Sequence, residues 1–309
     1  MSPLPVTEHA RLERVHAVAG LFEAVQKGQR PRREIVVPVD QKGLTETWRF
    51  TVPFALDASD QSVLLTIVAM MRQDANAMPI RAVNATRALS LVGEAASEDS
   101  LSLRTTAYRL ASECGWAWGK DRPRLIQESL RRLSQVTFDV ERNGVVVSGG
   151  TLIARAMTSD GRLMVAINPY LARALMDPNG ALWAKMDLTE RRALKSDTAR
   201  LLHTWLCTWL RPGDSGRVRL NTLTRHIWPN EANGPIPEGT VRRRRHAIRD
   251  ALREVTRLPG WHVSEPDDRN IVAISRPPDR VAPTIVRLRA SSGSGAGQAR
   301  PGRTRRTAI

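Results

Sequence analysis

Between Thr240 and Leu258 the chain reads TVRRRRHAIRDALREVTRL, and only one regular structure sorts these side chains. At 100° per residue, Val241, Ala247, Ile248, Ala251, Leu252, Val255 and Leu258 gather on one face of a helix, and Arg242, Arg245, His246, Arg249, Arg253 and Arg257 gather on the other. A strand would mix the two sets. Like charges at i,i+4 repel, and the acids Glu238, Asp250 and Glu254 are expected off the basic row. For one Arg, a solvated helix face would suffice; a row of six basic side chains points to a polyanion.

The composition narrows that partner. The 309 residues carry 47 Lys and Arg against 31 Asp and Glu, a formal net charge of +16, which favours nucleic acid or an anionic membrane surface. Membrane binding needs a free apolar face opposite the basic one, and here that face is claimed by the core. No run of 18 apolar residues and no cleavable leader is visible, so a soluble, cytoplasmic protein is expected. Cys114 and Cys207 stand apart with no nearby His or Cys, which predicts neither a disulfide nor a zinc site. The six His lack metal-ligand spacing, and neither a phosphate-binding Gly-rich loop nor a nucleophile elbow is present. No enzymatic activity, cofactor or metal is expected. Tyr108 and Tyr170, the only tyrosines, lie among apolar residues and are expected to pack, as are Trp205, Trp209 and Trp228.

Along the chain one order of elements occurs twice. In the first half, helices are expected at Asp57 to Met71, Thr105 to Gly115 (with Gly115 at a tight turn) and Arg122 to Leu133. Strands follow at Gln135 to Arg142 and Val145 to Ser148, joined by Asn143-Gly144, then at Thr151 to Ala156 and Arg162 to Ile167. In the second half, one helix runs from the capping box Asp187-Leu-Thr-Glu190 through Trp209 to Pro212-Gly213. A strand at Arg217 to Leu220, a helix capped by Asn221, the basic helix capped by Thr240 and a hairpin (Trp261 to Ser264, Ile271 to Ser275) complete it. Helix, turn, helix and hairpin is the order of a winged helix. The predicted fold is therefore α+β: an N-terminal arm (1–44), two tandem winged-helix domains (45–168 and 169–276) and a disordered Arg-rich tail (277–309).

In such a domain the third helix enters the major groove, where Arg forks onto guanine O6 and N7. The DNA-binding candidates are thus Arg242, Arg243, Arg244, Arg245, His246, Arg249 and Arg253. In the first half Arg124, Gln127 and Arg131 share a helix face and read equally as DNA contacts or as an interface. Arg269, at the wing tip, is placed to reach the DNA backbone, with Asp267 and Asp268 beside it in a solvated turn. The arm's basic run (Lys27, Arg30, Arg32, Arg33) suits a DNA-contacting arm as well as a solvated one, and its amphipathic stretch is Leu12, Val15, Val18, Ala19 and Phe22.

The runs SDTARLLHTWLCTWLRPGDSGRVRLNTLTRHIWPNEA (Ser196 to Ala232) and TVRRRRHAIRDALREV (Thr240 to Val255) closely resemble the replication protein C family, the replication initiators of IncQ-type broad-host-range plasmids. Further likeness lies in AGLFEAVQKGQR, TAYRLASECG, IQESLRRLSQV and SDGRLMVAINP. The chain departs from that pattern in the insertion NGPIPEG (Asn233 to Gly239) and in the basic tail. The resemblance implies binding to direct repeats (iterons) in double-stranded origin DNA, opening of an AT-rich region and loading of a plasmid-encoded helicase. It assigns DNA reading to Arg242 through Arg245, His246 and Arg249, with the helix around Arg124 and Arg131 as second contact. Other readings are a winged-helix repressor at an operator, a primase or relaxase, and a module that uses one winged helix only to dimerise. A homodimer remains open.

Overall fold

Helix α1 (Ala58–Gln73) is apolar almost all round, and a helix of that kind must be enclosed. Its start is fixed by Asp57, whose Oδ1 accepts from the N–H groups of Ser59 (2.9 Å) and Asp60 (3.0 Å). The computed structural model describes residues 7–13, 15, 20–25, 30–41, 44–73, 77–176, 183–229, 236–264, 266–267 and 269–279. Around α1 follow α2 (Ala82–Leu89), a short 3-10 turn (Glu94–Ser97), α3 (Ala107–Glu113), α4 (Arg122–Leu133) and α5 (Pro169–Met176). The second half supplies α6 (Leu188–Ala193), α7 (Asp197–Trp209), α8 (Leu220–Ile227) and α9 (Glu238–Thr256). Helix α1 packs against α3, α4, α5 and α7, and the described residues through Pro278 belong to one compact unit.

The strands are β1 (His9–Glu13), β2 (Arg33–Gln41), β3 (Leu44–Val52), β4 (Ala77–Ile80), β5 (Val92–Gly93), β6 (Ser100–Thr105), β7 (Thr137–Arg142), β8 (Val145–Thr151), β9 (Ile153–Met157), β10 (Leu163–Ile167), β11 (Trp183–Asp187), β12 (Ser215–Arg219), β13 (His262–Val263) and β14 (Ile271–Ser275). Their ladders are antiparallel and build sheets ordered β2-β3-β7-β8-β5, β4-β6-β10-β9, β12-β14-β13 and β1-β11. The fold is thus mixed α+β. Asn143 (φ 53°) and Gly144 (φ 78°) turn β7 into β8, the left-handed pair that a two-residue hairpin needs. Trp48, Phe50, Phe138 and Tyr170 stack over the five-stranded sheet, with Tyr170 edge-on to Trp48 at 5.0 Å.

Several expected elements differ. Residues 9–13 and 33–41, placed in the arm, are strands: β1 pairs with β11 from the second half, and β2 pairs with β3. The helix expected to run from Glu190 to Trp209 is two helices, because Ser196 caps a new start with its Oγ accepting from Ala199 N (3.1 Å). Neither Asn221 nor Thr240 is a cap; α8 begins after Arg219 and α9 after Pro237, without a side-chain capping bond. Cys207 does have a His beside it, since Sγ lies 3.6 Å from the buried His203 Nε2. Burial alone would lower the His203 pKa, but Cys207 and the Glu190 carboxylate (3.0 Å) outweigh it and raise the value to about 9. Trp209 is half exposed, stacked on Trp205, and Tyr108 is exposed, edge-on to Trp118 at 4.9 Å. Lys27, Val18, Ala19, residues 233–235 of the insertion, Asp268 and the tail beyond Asp279 lie outside the described residues.

Candidate nucleic-acid interface

Ile248, Ala251, Leu252 and Val255 of α9 are buried, with α7 and α8 packed against this helix. That burial sets its rotation and turns the opposite face outward. Two neutral amides flank this face. Asn221 at the start of α8 accepts from Arg245 Nε at 3.2 Å, and Asn270 accepts from Arg249 Nη2 at 3.2 Å. Asn270 sits in the turn before β14 with φ 57°, a left-handed conformation that Asn tolerates. The turn is tied by Asp267, whose Oδ1 accepts from Arg269 N (3.0 Å) and Ile271 N (2.8 Å). The helix and the β13–β14 hairpin therefore form one basic ridge, with a cavity of about 40 Å³ between them lined by Arg249, Leu252, Arg253, Val263, Pro266 and Val272.

The basic residues are not electrostatically equal. Asp250 stands on the row rather than off it: Arg253 Nη1 is 2.8 Å from Oδ1 and His246 Nε2 is 3.3 Å from Oδ2. Among the described residues Arg245 and Arg249 hold only amides. Arg243 donates to the Thr240 hydroxyl at 3.0 Å, and Arg244 is turned aside, its guanidinium 5.5 Å from the Trp228 ring. The side chains of Arg242 and Arg269 are exposed and have no carboxylate partner among the described residues. Arg242, Arg245 and Arg249, spaced i, i+3, i+7, are thus a row of uncompensated cations that a polyanion would neutralise.

Helix α4 is built differently. Arg124 lies between Glu128 (2.9 Å) and Asp121 (3.9 Å). Gln127 accepts from Arg155 Nη1 at 3.4 Å, and Arg131 lies over the Phe54 ring at 5.2 Å. The nearby Arg132 is buried on Asp60, at 2.8–3.2 Å. Asp60 also takes Ser129 Oγ (2.6 Å) and Arg30 Nη1 (3.3 Å). Arg30, expected in a basic arm, is therefore a strut between Asp57, Asp60 and the Ala55 carbonyl. Arg33 similarly joins Glu23 (3.3 Å), while Arg32 is an exposed partner of Glu34.

Sequence reasoning placed Asp250 off the basic row, took Asn221 for a helix cap and did not single out Asn270. Asp250 was findable, since it lies four residues after His246 and three before Arg253, both contact spacings on a helix. The two Asn come from other elements, and only the tertiary packing brings them to α9. Among the described residues no group of three His, Cys, Asp or Glu is placed to hold a metal, and no helix is long and apolar enough to cross a membrane.

No curated protein sequence matches the chain significantly. Among solved structures, the selenomethionyl domains 2 and 3 of RctB align at a TM-score of 0.51 with 12% identity, over 85% of this chain and 98% of that one. A second structure of RctB domains 2–3, residues 155–483, aligns at 0.48 with 11% identity, over 85% and 97%. The first likeness is one of fold. The family model of replication protein C matches residues 6–278, nearly the whole described chain, so the protein belongs to the replication protein C family.

Proposed function

We propose that this protein is a non-enzymatic initiator of plasmid replication that reads double-stranded origin iterons with α9. The observation that carries the reading is the row Arg242, Arg245 and Arg249, free of carboxylate partners among the described residues and set beside the hairpin that carries Arg269. In this reading α7, β12, α8, α9 and the β13–β14 hairpin form a winged helix, with α9 in the major groove and the hairpin turn on the adjoining backbone. Helices α1, α3 and α4 with the β7–β8 hairpin form the first one. Membership of the replication protein C family supports the role in replication.

Two linked modules on one iteron make the second contact intramolecular and raise its effective concentration. Several copies on a repeat array, as monomers or homodimers, would bend the DNA and favour unstacking at flexible AT-rich steps. A plasmid-encoded replicative helicase would then be loaded on the opened strand. With about eight phosphates neutralised, log affinity should fall against log salt with a slope near roughly −7.

Footprinting on the plasmid origin tests this, comparing the unaltered chain with an Arg242→Ala, Arg245→Ala, Arg249→Ala variant. Protection of tandem direct repeats that vanishes in the variant is expected. A palindromic footprint, or none, would overturn the iteron reading.

A further inference from the structure

Arg191 of α6 is 3% exposed. Its Nη2 donates to the Ala58 carbonyl (3.1 Å) and to Gln61 Oε1 (2.8 Å), both neutral acceptors on α1. Its Nε and Nη1 are buried with no hydrogen-bond partner. No carboxylate pairs with it among the described residues. A buried guanidinium with two idle donors and no counter-charge is costly unless something else supplies that charge.

Arg191 also lines a cavity of about 40 Å³ with Ser62, Thr66, Cys114, Arg192 and Arg200. Of its three arginines, Arg192 feels the Glu113 carboxylate, and Arg191 is the one left without an acid among the described residues. The Asp197 carboxylate, the nearest acid on α7, is already held by Arg200 at 3.0 Å. Arg192 is spent on Thr7 and the Glu113 carbonyl. Gly115, with φ 76°, leaves no Cβ to crowd the Arg192 methylenes, which would otherwise lie 3.1–3.2 Å away. Cys114 offers no charge either, because burial pushes its thiol up to about 11 and keeps it neutral. Thr66 Oγ1 accepts from Cys114 Sγ (3.4 Å) and keeps its own proton for an oxyanion, whereas the Ser62 hydroxyl is spent on the Ala58 carbonyl (2.8 Å). Water fits this space, at roughly 10–15 Å³ per molecule, but water would leave the positive charge uncompensated.

We infer that the cavity between α1 and α6–α7 is a binding site for a phosphate-type oxyanion, with Arg191 as its buried anchor and Arg200 at its rim. The site is separate from the α9 ridge, so its existence does not depend on how DNA is read. An ion bound there would bridge α1, the turn after α3 and α6–α7, joining elements from both halves of the chain.

Thermal unfolding of the full chain, with inorganic phosphate replacing chloride at constant ionic strength, tests the site. Because a net charge of +16 attracts any anion, the comparison is among variants: Arg191→Met, Arg200→Gln and, as a control on the ridge, Arg253→Gln. At phosphate near ten times the dissociation constant, the unaltered chain and the Arg253→Gln control should gain roughly 3 °C in Tm. Arg200→Gln should lose most of that gain. Arg191→Met should not respond, and without phosphate it should be at least as stable as the parent. Repeating the titration with a nucleoside 5′-monophosphate identifies the source: an equal response points to the free ion, a larger one to a nucleotide's terminal phosphate. If Arg191→Met does not fold, Arg200→Gln decides. Equal responses in Arg200→Gln and the parent, or no response in the parent, would mean a water-filled cavity and overturn the inference.

Discussion

Helices α4 and α9 are both Arg-rich and amphipathic, yet they spend their charges in opposite ways. On α4, Arg124 is held between Asp121 and Glu128, and Arg132 is buried on Asp60. On α9, Arg245 and Arg249 reach, among the described residues, only the amides of Asn221 and Asn270. An amide orients a guanidinium without cancelling its charge, so the side chain stays ready for phosphate or guanine. Counting Arg does not separate a reading helix from a structural one; finding the carboxylates within reach does.

The comparison can be broken at several points. Replacing Arg242, Arg245 and Arg249 with Ala should lower affinity for the origin duplex by roughly 10³-fold or more, at about 1–3 kcal/mol per Arg. Circular dichroism should show the helices intact. The mirror experiment is Arg132→Met, which removes the closest cation from the buried Asp60 carboxylate and leaves it Arg30 and Ser129; it should cost roughly 3 kcal/mol of folding stability in denaturant titrations. The affinity of the folded fraction should be unchanged. A large loss of affinity from Arg132→Met at full stability would erase the distinction.

Acidity offers a further separation. His203 has a folded pKa of about 9 against an ordinary value of 6.5. Its charged form is thus favoured in the folded state, and the stability it contributes is complete below about 6.5 and lost as pH rises through about 9. The Tm should fall across that window and flatten in His203→Gln. DNA affinity should hold steady there, since Arg stays protonated.

The smallest effects concern side chains that already have other partners. Arg124→Ala with Arg131→Ala should change affinity by no more than about threefold, because Arg124 is held by Asp121 and Glu128 and Arg131 lies over Phe54. Asp250→Asn, which releases His246 and Arg253, should raise affinity about twofold at low salt. Loss on the scale of the triple variant in the α4 pair would show that both helices read DNA.

Much of this difference was legible in the residues. Periodicity located α1, α4 and α9, and Asn143-Gly144 marked the hairpin. The apolar face of α9 predicted Ile248, Ala251, Leu252 and Val255 as buried. Strand β2 was hidden because REIVVPVDQ follows a basic run and contains Pro38, which an edge strand tolerates. Strand β1 is five residues long and gains its order from β11 in the second half of the chain, pairing His9 with Asp187 and Glu13 with Trp183. The charge partners of Arg30 and Arg33 are long-range contacts too, so a basic run that read as an arm is built into the fold. Local pattern reveals which face of a helix is basic; only packing reveals which of its charges remain unspent.

Guanine-N7 methylation protection on an origin repeat tests the central claim most directly, because N7 lies in the major groove. The account predicts guanines protected by the unaltered chain and by the Arg124→Ala, Arg131→Ala variant, and exposed again with the Arg242→Ala, Arg245→Ala, Arg249→Ala variant. Protection that survives the triple substitution but disappears with the α4 pair would contradict it.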